Sequence, residues 1–175
     1  MILFDHKPHS SSAGFKYLLA SSLISSLYLL GVVLIYFFSG SLFVNDLPML
    51  AASGTPAAGM AAFLRIIAVV LELKPFPANG WALVVYEGSH PAIAAIVSGG
   101  VATAMLFVLN KLMPAADLYL QQMVAVIGLV TFLGSNWLGI TQKDANRMLG
   151  YSSVGQIGLI MAVIAMQQYL GEQYT

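Results

Sequence analysis

The sequence has little charge and no cysteine. Charged side chains make up 8% of its 175 residues, and seven basic and seven acidic residues cancel to a net charge of zero, whereas a soluble domain is about 25% charged. With no excess of either sign, no nucleic acid partner is expected. The absence of Cys excludes disulfides, thiolate metal sites and thiol catalysis. No second His or acid lies at metal-ligand spacing from His90, so no metal site is predicted.

Hydrophobic residues, in contrast, make up 59% of the chain. A bilayer with a hydrocarbon core of ~30 Å needs about 20 apolar residues per helix. Five runs approach or exceed that length: 17–38, 56–73, 91–110, 118–140 and 149–166. They lack the alternation of barrel strands, and small residues recur inside them, as in packed membrane helices. The sequence therefore predicts an all-α integral membrane protein with five transmembrane helices.

The basic residues predict the orientation in the membrane. If the N-terminus is cytoplasmic, residues 1–16 form a polar cytoplasmic segment and most of the basic residues lie on that side. These residues are Lys7, Lys16, Lys74, Lys143 and Arg147, against Lys111 alone on the opposite side. The one long loop, residues 39–55, is then predicted to form an ordered cap on the outer face.

Three ionisable residues stand in or beside the second apolar run: Arg65, Glu72 and Lys74. Ionisable groups at membrane depth are costly, so each is a candidate for an ion or proton pathway. Arg65 and Glu72, seven positions apart, share a helix face about 10 Å apart along the axis, whereas Lys74 is expected to face the other way. Pro75 and Pro77 remove backbone donors directly afterwards, so this helix is predicted to be broken.

Two interpretations of these charges remain open from the sequence. Discontinuous helices beside buried charge recur in ion transporters, where protein or water satisfies the freed backbone groups. Alternatively, Pro75 simply ends the helix while Glu72 and Lys74 reach the headgroups. Arg65 would then extend toward the interface or form a structural pair.

Three short motifs, in order along the chain, resemble one large family. The first is AGFKYLL at 13–19, followed by a Ser-rich apolar helix. The second joins Pro77 and Trp81 to VYEG at 85–88, which holds Tyr86, Glu87 and Gly88. The third is RMLGYSSVGQIG at 147–158, with Arg147, Tyr151, Ser152 and Ser153. Together they resemble the proton-conducting, antiporter-like membrane subunits of respiratory complex I and its relatives, and VYEG favours the subunit-N type.

The resemblance implies a central piece of a longer architecture built from two inverted repeats. Residues 17–110 resemble the last three helices of the first repeat, and residues 111–175 resemble the start of the second. The expected partners are other membrane-arm subunits, the lipid bilayer and a separate chain that supplies the remaining helices. Quinone, flavin and iron–sulfur groups are expected only in partner subunits, and no cofactor in this chain. The implied location is a bacterial-type inner (plasma) membrane.

Several positions depart from the family pattern. The family carries a lysine nine residues before the motif tryptophan; counting back from Trp81 gives Glu72, with Lys74 two places late. Four further positions lack the protonatable residue that the family has there: Asn79, Ala102, Asn146 and Gln156.

The leading hypothesis is a subunit-N-like component of a redox-driven proton- or cation-translocating complex of the NADH-quinone oxidoreductase type. It would work through Glu72, Lys74 and Arg65 beside the break at Pro75 and Pro77, with no autonomous catalytic site. The alternatives are a non-conducting structural or assembly subunit of the membrane arm, and a subunit of a multisubunit cation/proton antiporter.

Overall fold

The computed structural model describes residues 8–43 and 55–174, without the side chains of 8–11, 13 and 168–174. These residues form six helices and no strand, which confirms the all-α prediction. The helices are α1 (Pro8–Ser39), α2 (Pro56–Glu72), α3 (Gly80–Gly88), α4 (Pro91–Ala115), α5 (Leu118–Ile140) and α6 (Ala145–Tyr174).

Four of these helices are long and apolar enough to cross a membrane: α1, α4, α5 and α6. Helix α2 has 17 residues, which at 1.5 Å per residue is about 25 Å, less than the ~30 Å hydrocarbon core. Four of the five predicted spans are therefore confirmed. The second apolar run ends at a break, which is followed by the short helix α3.

Helices α1, α4 and α6 extend beyond the apolar runs that predicted them. Helix α1 begins nine residues before the predicted start at residue 17, and α6 begins at Ala145 rather than 149. Hydropathy locates only the apolar part of a helix, whereas the backbone continues until a residue interrupts it. Helix α1 ends before Gly40, whose φ of +67° suits glycine. Most of the predicted cap, residues 44–54, lies outside the described residues.

Helix α4 changes its winding along its length. Residues Pro91–Ala95 are α-helical, Ile96–Val101 form a π-helical turn, Ala102–Leu112 are α-helical again, and Met113–Ala115 end in a 3₁₀ turn. A π turn holds one extra residue per turn and often marks a functional position in a helix. This π turn lies beside the break between α2 and α3, where it receives the Lys74 side chain.

Glycines set the contact between α5 and α6, the most extensive helix pair. A Cβ on Gly128 would lie 2.7 Å from the carbonyl oxygen of Gly158, and a Cβ on Gly158 would lie 2.8 Å from the carbonyl oxygen of Gly128. Because backbone atoms block both positions, only glycine permits this approach.

We expect Gly158→Ala to lower the free energy of unfolding by about 1–3 kcal/mol, because overpacking forces the helix backbones apart. Thermal unfolding of the detergent-solubilised protein measures the change. The matched control is Gly59→Ala in α2, where an added Cβ meets nothing within 4 Å. Equal stability of the two variants would contradict the close crossing.

Candidate functional site

The chain leaves helical geometry directly after Glu72. The last turn of α2 is satisfied by the N–H of Leu73, bonded to the carbonyls of Val69 and Val70, and by the N–H of Lys74, bonded to the carbonyl of Leu71 at 3.1 Å. Pro75 and Pro77 carry no N–H, and the Phe76–Pro77 peptide bond is cis. The segment between Glu72 and Gly80 is not helical, so its backbone groups need partners outside the helix.

Helix α5 supplies that partner through Thr131. The N–H of Phe76 donates to Thr131 Oγ1 at 3.0 Å, while the Thr131 hydroxyl donates to the carbonyl of Ile127 at 2.6 Å. Thr131 is fully buried, and the ring of Phe76 packs on Gly134, 2.9 Å from where a Cβ would stand. A side chain from a distant part of the sequence thus provides a hydrogen-bond acceptor for the free Phe76 N–H at the break, inside the protein.

Lys74 is the most deeply buried charged residue that the structure describes, with 0% exposure. Its φ of +63° lies in the left-handed region, which costs a non-glycine residue about 1–2 kcal/mol. The side chain enters between α3 and α4, where Nζ donates to the carbonyl of Val97 at 3.4 Å. Nζ also lies 6.0 Å from the ring centre of Trp81 and 5.9 Å from that of Tyr86. Lys74 therefore does not extend to a surface.

Glu72 lines a cavity of about 550 Å³ between α1, α2 and α4. The same cavity is also lined by three residues that carry hydroxyl groups, Ser21, Ser25 and Tyr28. Glu72 interacts electrostatically with Lys74, but at more than the 4.0 Å of an ion pair. The helix ends between Glu72 and Lys74, and the Lys74 side chain lies in a different space, between α3 and α4.

Arg65 is held by Tyr28 of α1. Its Nη2 donates to the Tyr28 hydroxyl at 3.1 Å, and its guanidinium carbon lies 5.3 Å from the centre of that ring. Gly31 makes room for it, because a Cβ there would lie 2.7 Å from Arg65 Cγ. Arg65 is 6% exposed, so it is not extended toward the interface.

Tyr28 connects the two charges on α2. It contacts Arg65 and, together with Glu72, lines the cavity between α1, α2 and α4. Sequence reasoning missed Tyr28, since a tyrosine inside an apolar helix signals neither a partner nor a cavity.

The remaining motif residues gather where α3 meets α6. Arg147 Nη1 lies 3.5 Å from Glu87 Oε2, the one ion pair within the residues described. Both side chains are about half exposed, so the pair contributes roughly 0–1 kcal/mol. Tyr86 packs on Gly150, 2.7 Å from where a Cβ would stand, and shares a buried apolar cluster with Tyr151.

The other motif positions are more peripheral. The Trp81 ring, which also faces Lys74, lies 6.0 Å from the Tyr17 ring of α1 at an interplanar angle of 47°. Gly88 ends α3, Ser152 is exposed and Ser153 is half-buried. No three His, Asp or Glu side chains in the part of the chain that the structure describes are grouped to hold a metal ion.

A protein family model described as NADH:quinone oxidoreductase/Mrp antiporter, TM, matches residues 1–174. The chain belongs to this antiporter family. With its apolar helices, it is an integral membrane protein. It is similar to NADH-quinone oxidoreductase subunit N of Chromohalobacter salexigens, with 32% identity over 99% of this chain and 38% of the relative. A second subunit N, from Rubrobacter xylanophilus, is 33% identical over 96% of this chain and 36% of that protein.

The chain thus spans somewhat over a third of the length of these relatives.

Solved structures share its fold. A chain of an archaeal membrane-bound sulfane sulfur reductase superposes with a TM-score of 0.85 at 27% identity, covering 93% of this chain and 34% of that one. A chain of the Mrp complex from Dietzia superposes with a TM-score of 0.81 at 24% identity, over 90% of this chain and 30% of that one. The antiporter family accounts for all three motifs.

We expect Tyr28→Phe to lower the free energy of unfolding by about 1.5–3 kcal/mol, because it removes a hydrogen bond to a charged, buried group. Tyr36→Phe on the same helix is the control, since Tyr36 is exposed and its loss should change stability by less than about 0.5 kcal/mol. Thermal unfolding of both variants in detergent decides; equal midpoints would mean that Tyr28 does not hold Arg65.

Proposed function

We propose that the chain is part of a subunit-N-like component of a proton-translocating membrane complex of the NADH-quinone oxidoreductase type. Family membership and the two subunit N relatives support this proposal. The observation that carries it is the fully buried Lys74 beside a broken helix, with Glu72 as the nearby acid. A fully buried ionisable side chain such as Lys74 is costly to keep unless it has a function.

The proposed mechanism couples the protonation of two groups, Glu72 and Lys74, beside a fixed positive charge on Arg65. Glu72 takes up and releases protons through the cavity of about 550 Å³. Lys74 interacts with Glu72, so a proton gained or lost by one group changes the electrostatic energy of the other. Arg65 stays charged, because a guanidinium does not deprotonate in proteins, and it provides a fixed positive charge beside Tyr28.

The same proposal includes the finer architecture. Helices α2 and α3 with the break between them form the fifth, discontinuous span, and the N-terminus lies in the cytoplasm of a cell with a bacterial-type plasma membrane. Residues 17–110 and 111–175 belong to two successive repeats. Other membrane-arm subunits, lipid and a chain with the remaining helices surround these residues, and flavin, iron–sulfur or quinone groups are bound by partners.

A non-conducting structural subunit is the second candidate. Asn79 is 4% exposed and Ala102 3% exposed; both are neutral residues at positions where the family resemblance implies protonatable ones. Under this candidate the charges of α2 hold the helices together. A subunit of a cation/proton antiporter is the third candidate, and the Mrp complex shares the fold; a complex without electron-transfer partners would favour it.

We expect Lys74→Met and Glu72→Gln each to reduce the number of protons translocated per electron in the intact complex, by at least about half, since each removes one proton-carrying group. Glu72→Gln keeps the side-chain shape and should preserve assembly. Arg65→Met should do more harm, leaving an acid without its fixed counter-charge. Proteoliposomes with matched amounts of complex measure the ratio.

The control is Lys111→Met, an exposed residue in the last turns of α4 over the ring of Phe107, which should leave the ratio unchanged. An unchanged ratio in both Lys74→Met and Glu72→Gln would contradict the pathway and favour the structural subunit. A lower amount of assembled complex with an unchanged ratio leads to the same conclusion.

The proposed orientation predicts labelling from opposite sides of the membrane. Asn146→Cys should react with an impermeant thiol reagent from the cytoplasmic side, and Asp46→Cys from the other, because five of six flanking basic residues favour the cytoplasm. Asp46 lies outside the described residues. Lys143→Cys, three residues before Asn146, is the control and should react from the cytoplasmic side. Labelling of Asp46→Cys and Asn146→Cys from one side would exclude this topology.

A further inference from the structure

Helix α2 forms the floor of an open groove whose walls are α1 and α4. Both of these helices pack on α2, and the cavity of about 550 Å³ lies between them. Residues on one face of α1 line it from Tyr17 to Leu29, a length of about 18 Å or three helical turns. The groove opens to the outside of the bundle, where Leu29 is 60% exposed.

The lining of this groove resembles the contact surface of a membrane helix. Among the described residues that line it, Glu72 alone is charged, and most of the others are apolar. Ser21 and Ser25 lie one turn apart on the α1 wall, and Ala68 lies on the floor. Small residues such as these let a second helix approach closely. The shape and the lining therefore suit a further helix.

The carboxylate of Glu72 has no partner in the part of the chain that the structure describes. No described group donates a hydrogen bond to it, and no described basic nitrogen lies within 4.0 Å of it. Lys74 attracts it electrostatically, but its ammonium group donates to the carbonyl of Val97, between α3 and α4. Arg65 is bound to Tyr28, about two helical turns away. Both nearby cations are thus held elsewhere.

An acid in this position restricts what can occupy the groove. Lipid chains provide neither a hydrogen-bond donor nor a positive charge, and an unpaired carboxylate in hydrocarbon is unfavourable. An uncharged helix would cover Glu72 and leave it without a partner. A helix with a lysine or arginine at the level of Glu72 would provide the missing positive charge.

We propose that this groove is the docking site of a transmembrane helix of a partner subunit, and that this helix carries a lysine or arginine that pairs with Glu72. The inference rests on the proposed function in one respect, namely that further membrane subunits surround the chain. It does not depend on proton translocation, because assembly of the complex tests it.

Photo-crosslinking in the intact complex identifies the occupant. Benzoylphenylalanine in place of Leu29, at the open side of the groove, should attach on illumination to a peptide of a partner subunit, which mass spectrometry identifies. We expect this peptide to belong to an apolar segment of about 20 residues that contains a lysine or arginine. The control is the same replacement at Leu23, which is 64% exposed on the same helix but outside the lining and should not capture this peptide.

Three crosslinking results would overturn the proposal. They are attachment to lipid alone, attachment to a second copy of this chain, and attachment to a segment without a basic residue.

Exchange of the two charges tests the pair itself. Glu72→Lys should reduce the amount of assembled complex at least about tenfold, because two cations then face each other in hydrocarbon. Replacing the captured basic residue by Glu, with Glu72 unchanged, should have a similar effect, because it brings two acids together. Both changes together should restore at least about half of the assembled complex, since the pair is rebuilt with its signs reversed.

The matched control is Glu72→Gln, whose amide oxygen still accepts a hydrogen bond from the cation, so this variant should assemble. If the double variant assembles no better than Glu72→Lys alone, the pair does not exist and the proposal is wrong. The amount of complex is measured by native gel electrophoresis of solubilised membranes.

The outcomes separate this proposal from the proposed function. Recovery of assembly in the double variant, with an unchanged proton ratio in Glu72→Gln and Lys74→Met, keeps the docking site and rejects the proton pathway. No recovery, with a reduced ratio in those two variants, rejects the docking site and keeps the pathway.

Discussion

The hydrogen bond from the Phe76 N–H to Thr131 Oγ1 is the interaction on which the site depends. Backbone groups have no water partner inside a bilayer, so a helix interrupted by two prolines persists there only if protein or water satisfies them. Thr131 does this while remaining bonded to its own helix through Ile127. The break in one half of the chain is thereby tied to a helix of the other half.

That constraint determines where the charges lie. Because α2 ends at Glu72, the next residues no longer follow helical periodicity, and the left-handed φ of Lys74 directs its side chain between α3 and α4. Arg65, still inside α2, remains on the face toward α1, where Tyr28 and the missing side chain of Gly31 accommodate it. One short segment thus presents charge to two separate spaces.

The family motifs divide into two kinds of residue in the structure. The break itself positions charge, whereas VYEG and the YSS segment form a contact: Tyr86 packs on Gly150, and Glu87 pairs with Arg147. This contact holds α3 against α6. The exposed ion pair adds little stability by itself, so apolar packing of Tyr86 and Tyr151 dominates there.

The sequence by itself determined the helical membrane class, the existence of the break and the three charges beside it, because apolar length, proline and ionisable residues in hydrocarbon are local properties. It also located the family motifs. Only four of the five predicted runs became helices of spanning length, since the second run forms the 17-residue α2, which ends directly before the break.

The tertiary structure alone decided which partner each group has. Counting along the chain placed Glu72 at the family's lysine position, but the buried cation is Lys74. The left-handed backbone conformation at Lys74 changes the direction of the chain, and helical periodicity does not predict such a change. Tyr28 and Thr131 lie 37 and 55 residues from the groups they bind. Such contacts arise from helix packing, and no local pattern of residues specifies them.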